Sequence, residues 1–426
     1  MAAIDDQEAT PSTSIAWHDA KVWEASGFSA FLQAHGIKRS DLVAQESTAT
    51  GDGALRTEQR FFRVKQSQKD GASAVIARVV EDLRQAGVPA EIAPRAVAWV
   101  PQFFSLPASV PLARLASYQR GEIYGIDISS GFAVSLLDLQ PGEHVLDLCC
   151  APGAKLTMIA DLLAQRGSVT GVDFSRARLG ACKQLVHKYK LVVTCSSGAA
   201  DTDVDAAASA SAPSPAWRCR LFHADGRTFN VGPKGEWTSD ADAMEVVVDS
   251  LEVASRDAKA QGRKRKNKSA RGREQRTRRA LDGSARASEA PNELYDKVLV
   301  DAECTHDGSV KHLQKLESLD AWATYVSRHL NDGEVARILA LQAALLRNGF
   351  RLLRRGGTLV YSTCSLSLQQ NEAVLTAFLG EKPDAELVPI ATTGIPCEPG
   401  QVEHTVRFTP AHHTSGLFIA KIRKSE

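Results

Sequence analysis

The chain has 426 residues, 43% of them hydrophobic and 24% charged, which is long enough for two or three domains that each bury a core. Its 51 basic and 50 acidic residues leave a net charge of +1, so a polyanionic partner must be sought in where the charge sits and not in its sum. No apolar run is long enough to span a bilayer, which argues against a membrane protein. The eight cysteines form no CxxC pairs and no zinc-like Cys/His spacing, so no metal is expected, and free thiols point to the reducing nucleus or cytoplasm.

Residues 1–14 carry Asp5, Asp6 and Glu8 where a targeting peptide needs basic residues, and read as a floppy start. Residues 15–117 alternate short helical and strand-like stretches (SGFSAFLQAHGI, LRTEQRFFRVKQ, ASAVIARVVEDLRQAGV) and predict a small α+β domain. From 118 to 426 apolar strands ending in Asp or Cys alternate with amphipathic helices: HVLDLCC, LTMIADLLAQ, SVTGVDFS, RARLGACKQLVHKYK, CRLFHADG, KVLVDAEC, a helix around 332–353, and GTLVYSTC. That alternation predicts an α/β fold with a parallel, Rossmann-like sheet. The tail TVRFTPAHHTSGLFIAKIRK (405–424) reads as two strands around a turn, suited to an antiparallel edge. Two insertions interrupt the pattern. Residues 196–216 are low-complexity Ala/Ser/Asp, and 254–291 hold ten Lys and Arg between Arg263 and Arg279. The basic block reads equally as a solvated insertion, a nuclear import signal that would favour the nucleus, or an arm that neutralises RNA phosphates.

The turn after the first strand of the sheet, Cys149-Cys150-Ala151-Pro152-Gly153-Ala154-Lys155, is built of small residues before a helix, so backbone can approach a ligand at a helix N-terminus. It lacks the GxGxxG spacing of dinucleotide sites and the GK[ST] of a P-loop. The next strand ends in Asp173, where a carboxylate can accept hydrogen bonds from ribose hydroxyls, and the third in Asp225, placed to accept an adenine amino group. One strand-end Asp is more often a helix cap than a ligand contact. Three successive strand ends with this chemistry favour S-adenosylmethionine. MEVVVDS (244–250) ends in a competing Asp249, ranked lower because it leads into the basic insertion.

A buried cysteine is usually a small apolar core residue. Cys304 (YDKVLVDAECTHDGS) and Cys364 (RRGGTLVYSTCSLSLQQNE) differ, because both follow predicted parallel strands at the edge where such sheets bind ligands, and both have polar flanks that include Asp301, His306 and Ser362. A thiolate there can add to C6 of a cytosine and make C5 nucleophilic.

Together DLCCAPGAK, VDFSRARL, FHADG, VLVDAEC, YSTCSLSLQQNE and the closing RFTPAHHTSGLFIAKIRK resemble the RsmB-like (Nop/Sun-type) RNA cytosine-5 methyltransferases over about 118–424. YGIDISSGFAV (124–134) and RFFRVK (60–65) extend the likeness towards the N-terminus. The resemblance implies an S-adenosylmethionine site at 149–155, Asp173 and Asp225, with Asp301 beside it to hold or protonate the cytosine edge and Lys155 lining it. It implies attack by Cys364, product release aided by Cys304, and an RNA partner, tRNA or rRNA; the sequence leaves the oligomeric state open, with a monomer as the working expectation. One departure stands out: Glu303 replaces the family's proline before the first cysteine, and like-charge repulsion there is expected to disfavour the Cys304 thiolate. A non-catalytic RNA-binding scaffold and a methyltransferase for protein or small molecules are the competing readings.

Overall fold

The computed structural model describes residues 15–43, 59–66, 71–192, 217–235, 244–251 and 293–426. The expected floppy start and both insertions lie outside the described residues.

The larger sheet has the order β12-β13-β14-β10-β9-β5-β6-β7-β8. Its parallel core consists of β5 (His144–Asp147), β6 (Ser168–Asp173), β7 (Arg218–His223), β9 (Tyr295–Asp301) and β10 (Leu353–Thr363). All six residues of β6 are buried, because helices cover both faces of a central parallel strand. Side chains alternate between those faces. Val145, Val169, Leu221 and Leu299 pack with helices Ala154–Leu162 and Arg176–Lys188, while Leu146, Val172, Val298 and Val300 pack with Asp332–Leu352 and Val374–Glu381. The strand order reverses between β5 and β9, and it is at such a switch point, beyond the carboxyl ends of the strands, that an open α/β sheet binds ligands.

Antiparallel strands close both sides. β8 (Glu245–Asp249) runs against β7, with Asp249 opposite Arg220. On the other side β14 (Leu417–Lys424) runs against β10, and β11 (Ala385–Leu387) and β13 (Val406–Phe408) pair with β14. The expected tail hairpin therefore forms, but β14 is interior and β12 (Glu398–Pro399) takes the outermost place. The physical reason is visible in burial: five of the eight β14 residues are buried, too apolar for an edge.

A second, antiparallel sheet has the order β2-β3-β1-β4: β1 (Gln59–Val64), β2 (Arg95–Ala96), β3 (Phe103–Pro107) and β4 (Ile123–Gly125). Helix Gly71–Gln85 lays Val75, Val79 and Leu83 on Phe62, Val64 and Ile123. A buried ion pair between Arg63 of β1 and Asp161 of the Ala154–Leu162 helix joins this sheet to the larger one. Residues 15–43 pack elsewhere. Their helices, Ala20–Ser26 and Phe28–Ala34, place Trp23 and Phe28 against Trp322 and Tyr325 of helix Leu319–His329. Among the described residues no helix is long and apolar enough to cross a membrane.

Candidate active site

A cavity of about 490 Å³ opens at the carboxyl ends of the parallel strands, lined among others by Cys149, Ala151, Asp173, Asp225, Asp301 and Cys364. The β5 turn forms its floor. Gly153 caps the following helix at φ 108°, where a Cβ would also lie 2.8 Å from the Cys182 sulfur, so only glycine fits. Cys150 is buried with its sulfur 3.8 Å from that of Cys182 and acts as a small core residue. Cys150, Pro152, Gly153 and Ala154 shape the turn without lining the cavity.

Three carboxylates approach the cavity in different states. Asp173 is 6% exposed and accepts from the backbone N–H groups of Ala151 (3.1 Å) and Ser175 (2.8 Å), so it pins the turn while facing the cavity. Asp225 is gripped by the Arg227 guanidinium (2.6 and 3.0 Å), whose hydrogen bonds hold it below the usual carboxylate range. Asp301 accepts from Lys155 Nζ at 2.7 Å and from the Ser362 hydroxyl at 2.6 Å. Burial works against the Lys155 charge, but Asp301 outweighs it and the ammonium is held more firmly than usual. Asp249 lies at the opposite end of the sheet, paired with Arg218 at 2.7 Å.

Beyond Asp301 the chain turns through Cys304, and beyond β10 through Cys364, bringing the two sulfurs to 3.2 Å. Cys304 is 3% exposed and sits behind Cys364, which faces the cavity. A buried polar network locks the two loops together. Gln370 exchanges hydrogen bonds with Thr305 (2.8 and 3.1 Å), Asp307 accepts from Leu366 N (2.8 Å), Thr363 donates to Asn371 (2.6 Å), and Glu372 pairs with Arg407. The QQNE run therefore acts by fixing the thiol geometry from below. His306, at φ 60°, places Nδ1 3.0 Å from the Cys364 sulfur and 3.9 Å from that of Cys304.

The family model described as 16S rRNA methyltransferase RsmB/F matches residues 134–209 and 242–423, well over half of the chain. The chain belongs to the RsmB/F family. Ribosomal RNA small subunit methyltransferase B of Enterobacter sp. (strain 638) is 25% identical over 325 residues, 76% of this chain and 52% of the relative. Ribosomal RNA small subunit methyltransferase F of Erwinia tasmaniensis is 25% identical over 323 residues, 74% of this chain and 48% of the relative. The chain thus spans about half the length of these relatives. A solved methyltransferase homologue from Pyrococcus horikoshii aligns at TM-score 0.53 and 22% identity, over 95% of this chain and 99% of that one. NSun6 from the same organism, solved with SFG, aligns at TM-score 0.54 and 16% identity, over 87% and 91%. Both share the Rossmann-like methyltransferase fold.

In this RsmB/F-family chain the expected penalty from Glu303 is not realised. Its carboxylate accepts from Arg337 Nη2 at 2.6 Å, so its charge is paired at the cavity rim. Burial opposes the Cys304 thiolate, but the Cys364 thiol and the His306 charge outweigh it and bring Cys304 down to about 6. The hydrogen bond from Cys304, with burial, drives Cys364 up, so the pair gives up one proton readily and holds the second. Sequence reading assigned no role to four residues of this site. Asp147 ends β5 at 1% exposure with neither carboxyl oxygen hydrogen-bonded, and burial together with Asp301 pushes it up to about 8. Phe174 keeps 75% of its surface exposed at the cavity, and Arg178 reaches back to Ala151 O at 2.5 Å. His306 was visible only as a polar neighbour of Cys304. The signal was there: Phe174 adjoins Asp173, and Asp147 ends the strand that leads into the 149–155 turn.

Proposed function

We propose that this RsmB/F-family chain is an S-adenosylmethionine-dependent RNA (cytosine-5) methyltransferase that works through a cysteine–C6 adduct. The observation that carries this reading is the pair of sulfurs, 3.2 Å apart at the ends of adjacent parallel strands, beside an Asp301–Lys155 pair. Ribosomal RNA is the favoured substrate on the names of the relatives, with tRNA the alternative.

The cavity suits the cofactor. Asp173, Asp225 and Asp301 line a cavity for a ligand that carries a sulfonium and an ammonium, and Asp147 lies buried at the end of the adjoining strand β5. Phe174 offers an exposed ring face to adenine, Asp173 serves the ribose and Asp225 the adenine amino group. When bound, S-adenosylmethionine supplies an electrophilic methyl group.

The chain's own residues account for the rest. A cytosine must leave its stack, because a thiol reaches C6 only from the ring face. Asp301, oriented by Lys155 and Ser362, holds the base through its amino and N3 edge. The Cys364 thiolate adds to C6 and loads electron density onto C5. After C5 is methylated, Cys304 takes the C5 proton, the C6–S bond breaks and its electrons return to the Cys364 sulfur.

The two thiols are therefore expected to fail differently. Cys364→Ala should lower methyl transfer by at least ~10³-fold and form no adduct. Cys304→Ala should accumulate a protein–RNA adduct that survives a denaturing gel with labelled RNA. Adduct in the Cys364 variant and none in the Cys304 variant would reverse the roles. Methylation unaffected by both changes would remove thiol catalysis from the reading.

A further inference from the structure

The imidazole of His306 stands against both sulfurs, in a backbone conformation that glycine and asparagine adopt more easily. Among the described residues its side-chain hydrogen-bond partners are the two thiols, and its ring centre lies 5.4 Å from that of His312. A costly conformation spent on one titratable ring at a nucleophile is a reason to ask what the ring does.

We propose that His306 is the proton partner of the thiol pair, holding as an imidazolium the proton that Cys364 surrenders and then serving the same charge to Cys304. The inference rests on the covalent reading given above. In the resting site the pair has passed one proton to His306 Nδ1 and its charge lies first on Cys304; a proton crossing the 3.2 Å sulfur contact from Cys364 to Cys304 gives the attacking form, a Cys364 thiolate hydrogen-bonded to the imidazolium with Cys304 protonated. Attack uses the sulfur electron pair to form the S–C6 bond and removes the negative charge from Cys364. Cys304, no longer beside a second thiolate and 3.9 Å from the imidazolium, then releases its proton to solvent. As a thiolate it takes the proton from C5 when the C6–S bond breaks. Each cycle regenerates the attacking form, with Cys364 as thiolate, Cys304 as thiol and His306 charged, and one proton has left for each methyl group placed.

The surroundings agree with this role. The Cys304 charge raises His306 to about 9 against the opposing effect of burial. Asp307 on the same loop favours the imidazolium, while Arg178 from the Arg176–Lys188 helix opposes it. His312, at the start of the next helical turn, is held neutral by burial and by the His306 charge, so it does not compete for the proton. Tyr325 donates its hydroxyl to Thr305 O (2.7 Å) and is kept protonated by burial, leaving it no part in the exchange.

The test uses His306→Gly and His306→Asn in the full chain, with a chelator present. Both residues suit φ 60°, so folding should be retained, as a thermal melt would show. The first readout is the pH dependence of iodoacetamide alkylation at Cys364, followed by peptide mass. The parent should react below neutral pH. In His306→Gly the profile should move up towards an ordinary thiol, near 8.5, with the rate at pH 6.5 down at least 10-fold. Methylation should fall on the acid limb of its pH profile with KM for RNA unchanged, and added imidazole should restore part of it in the glycine variant. An unmoved alkylation profile in a folded His306→Gly, or full activity in His306→Asn, would overturn the proposal. Methylation that survives Cys364→Ala would instead overturn the covalent reading on which it rests, and the two failures are distinct.

Discussion

Two strands of this chain carry almost the same message, EVVVD in Glu245–Asp249 and KVLVD at the end of Tyr295–Asp301, yet their aspartates finish at opposite ends of one sheet. β9 runs parallel to β5 and β10 and delivers Asp301 to the carboxyl edge, beside Lys155 and the thiols. β8 runs antiparallel to β7 and delivers Asp249 to the far end, where Arg218 absorbs its charge. The same apolar run with the same terminal carboxyl thus becomes a site residue in one place and a structural pair in the other. Strand direction alone makes the difference, and direction is set by the connection, not by the strand.

The sharpest way to break that comparison is to neutralise both carboxyls in turn. Asp301→Asn should cut kcat by about 10²-fold, since the base loses its oriented hydrogen-bond partner, while the melting temperature barely moves. If Asp301→Asn instead unfolds the protein and the residual folded fraction is fully active, the two aspartates are alike after all.

Asp249→Asn should do the opposite. Removing one partner of a largely buried pair costs about 2 kcal/mol, which lowers the melting temperature by about 4–8 °C in a domain of this size. Methyl transfer per folded molecule should be unchanged, and a kcat loss would show that the far end of the sheet is coupled to the cavity.

Asp147, at the end of HVLD, offers a third fate for the same pattern: the carboxyl edge, but buried. Its folded value near 8 lies above the unfolded value of about 4, so the native state retains a proton that the unfolded chain gives up. The stabilisation is fully present below about pH 4 and is lost as pH rises through 8. Melts of the ligand-free protein between pH 5 and pH 8 should show a downward slope that Asp147→Asn flattens. At neutral pH, binding a cationic cofactor should also release a proton from the parent and none from the variant, which calorimetry in buffers of different ionisation heat would read.

The smallest effect is expected between the two strands compared. Replacing residues 256–288 with a short Gly/Ser linker should leave the melting temperature within about 1 °C, because the segment is poor in apolar residues and loop length costs little. If the ten basic residues there grip RNA, the same deletion should reduce the salt dependence of binding, whereas a large loss of unfolding cooperativity would show that the segment packs on the domain.

Much of this was legible in the chain. Alternation of apolar strands and amphipathic helices is enough to give a parallel sheet, because each strand must be covered on both faces and a right-handed crossover leaves few arrangements. Strand-end residues are legible for the same reason: in a parallel sheet every carboxyl end faces one edge, so Asp173, Asp225, Asp301, Cys304 and Cys364 were predictable neighbours. What the pattern could not carry was charge pairing and cross-loop contact. Glu303 read as a threat to Cys304 because the two are adjacent in sequence, yet its partner, Arg337, arrives from a helix 34 residues on. His306 read as a polar neighbour because its meeting with Cys364, 58 residues away, depends on two loops being locked by Gln370, Asn371 and Asp307. Sequence by itself determined the period of the elements and which ends of the strands gather, since those follow from local stereochemistry and the direction of a parallel strand. The tertiary structure alone decided which charges meet, which of the gathered carboxyls is dry, and that an imidazole stands beside a pair of touching thiols, because these depend on distances of a few ångströms between residues that the chain keeps far apart.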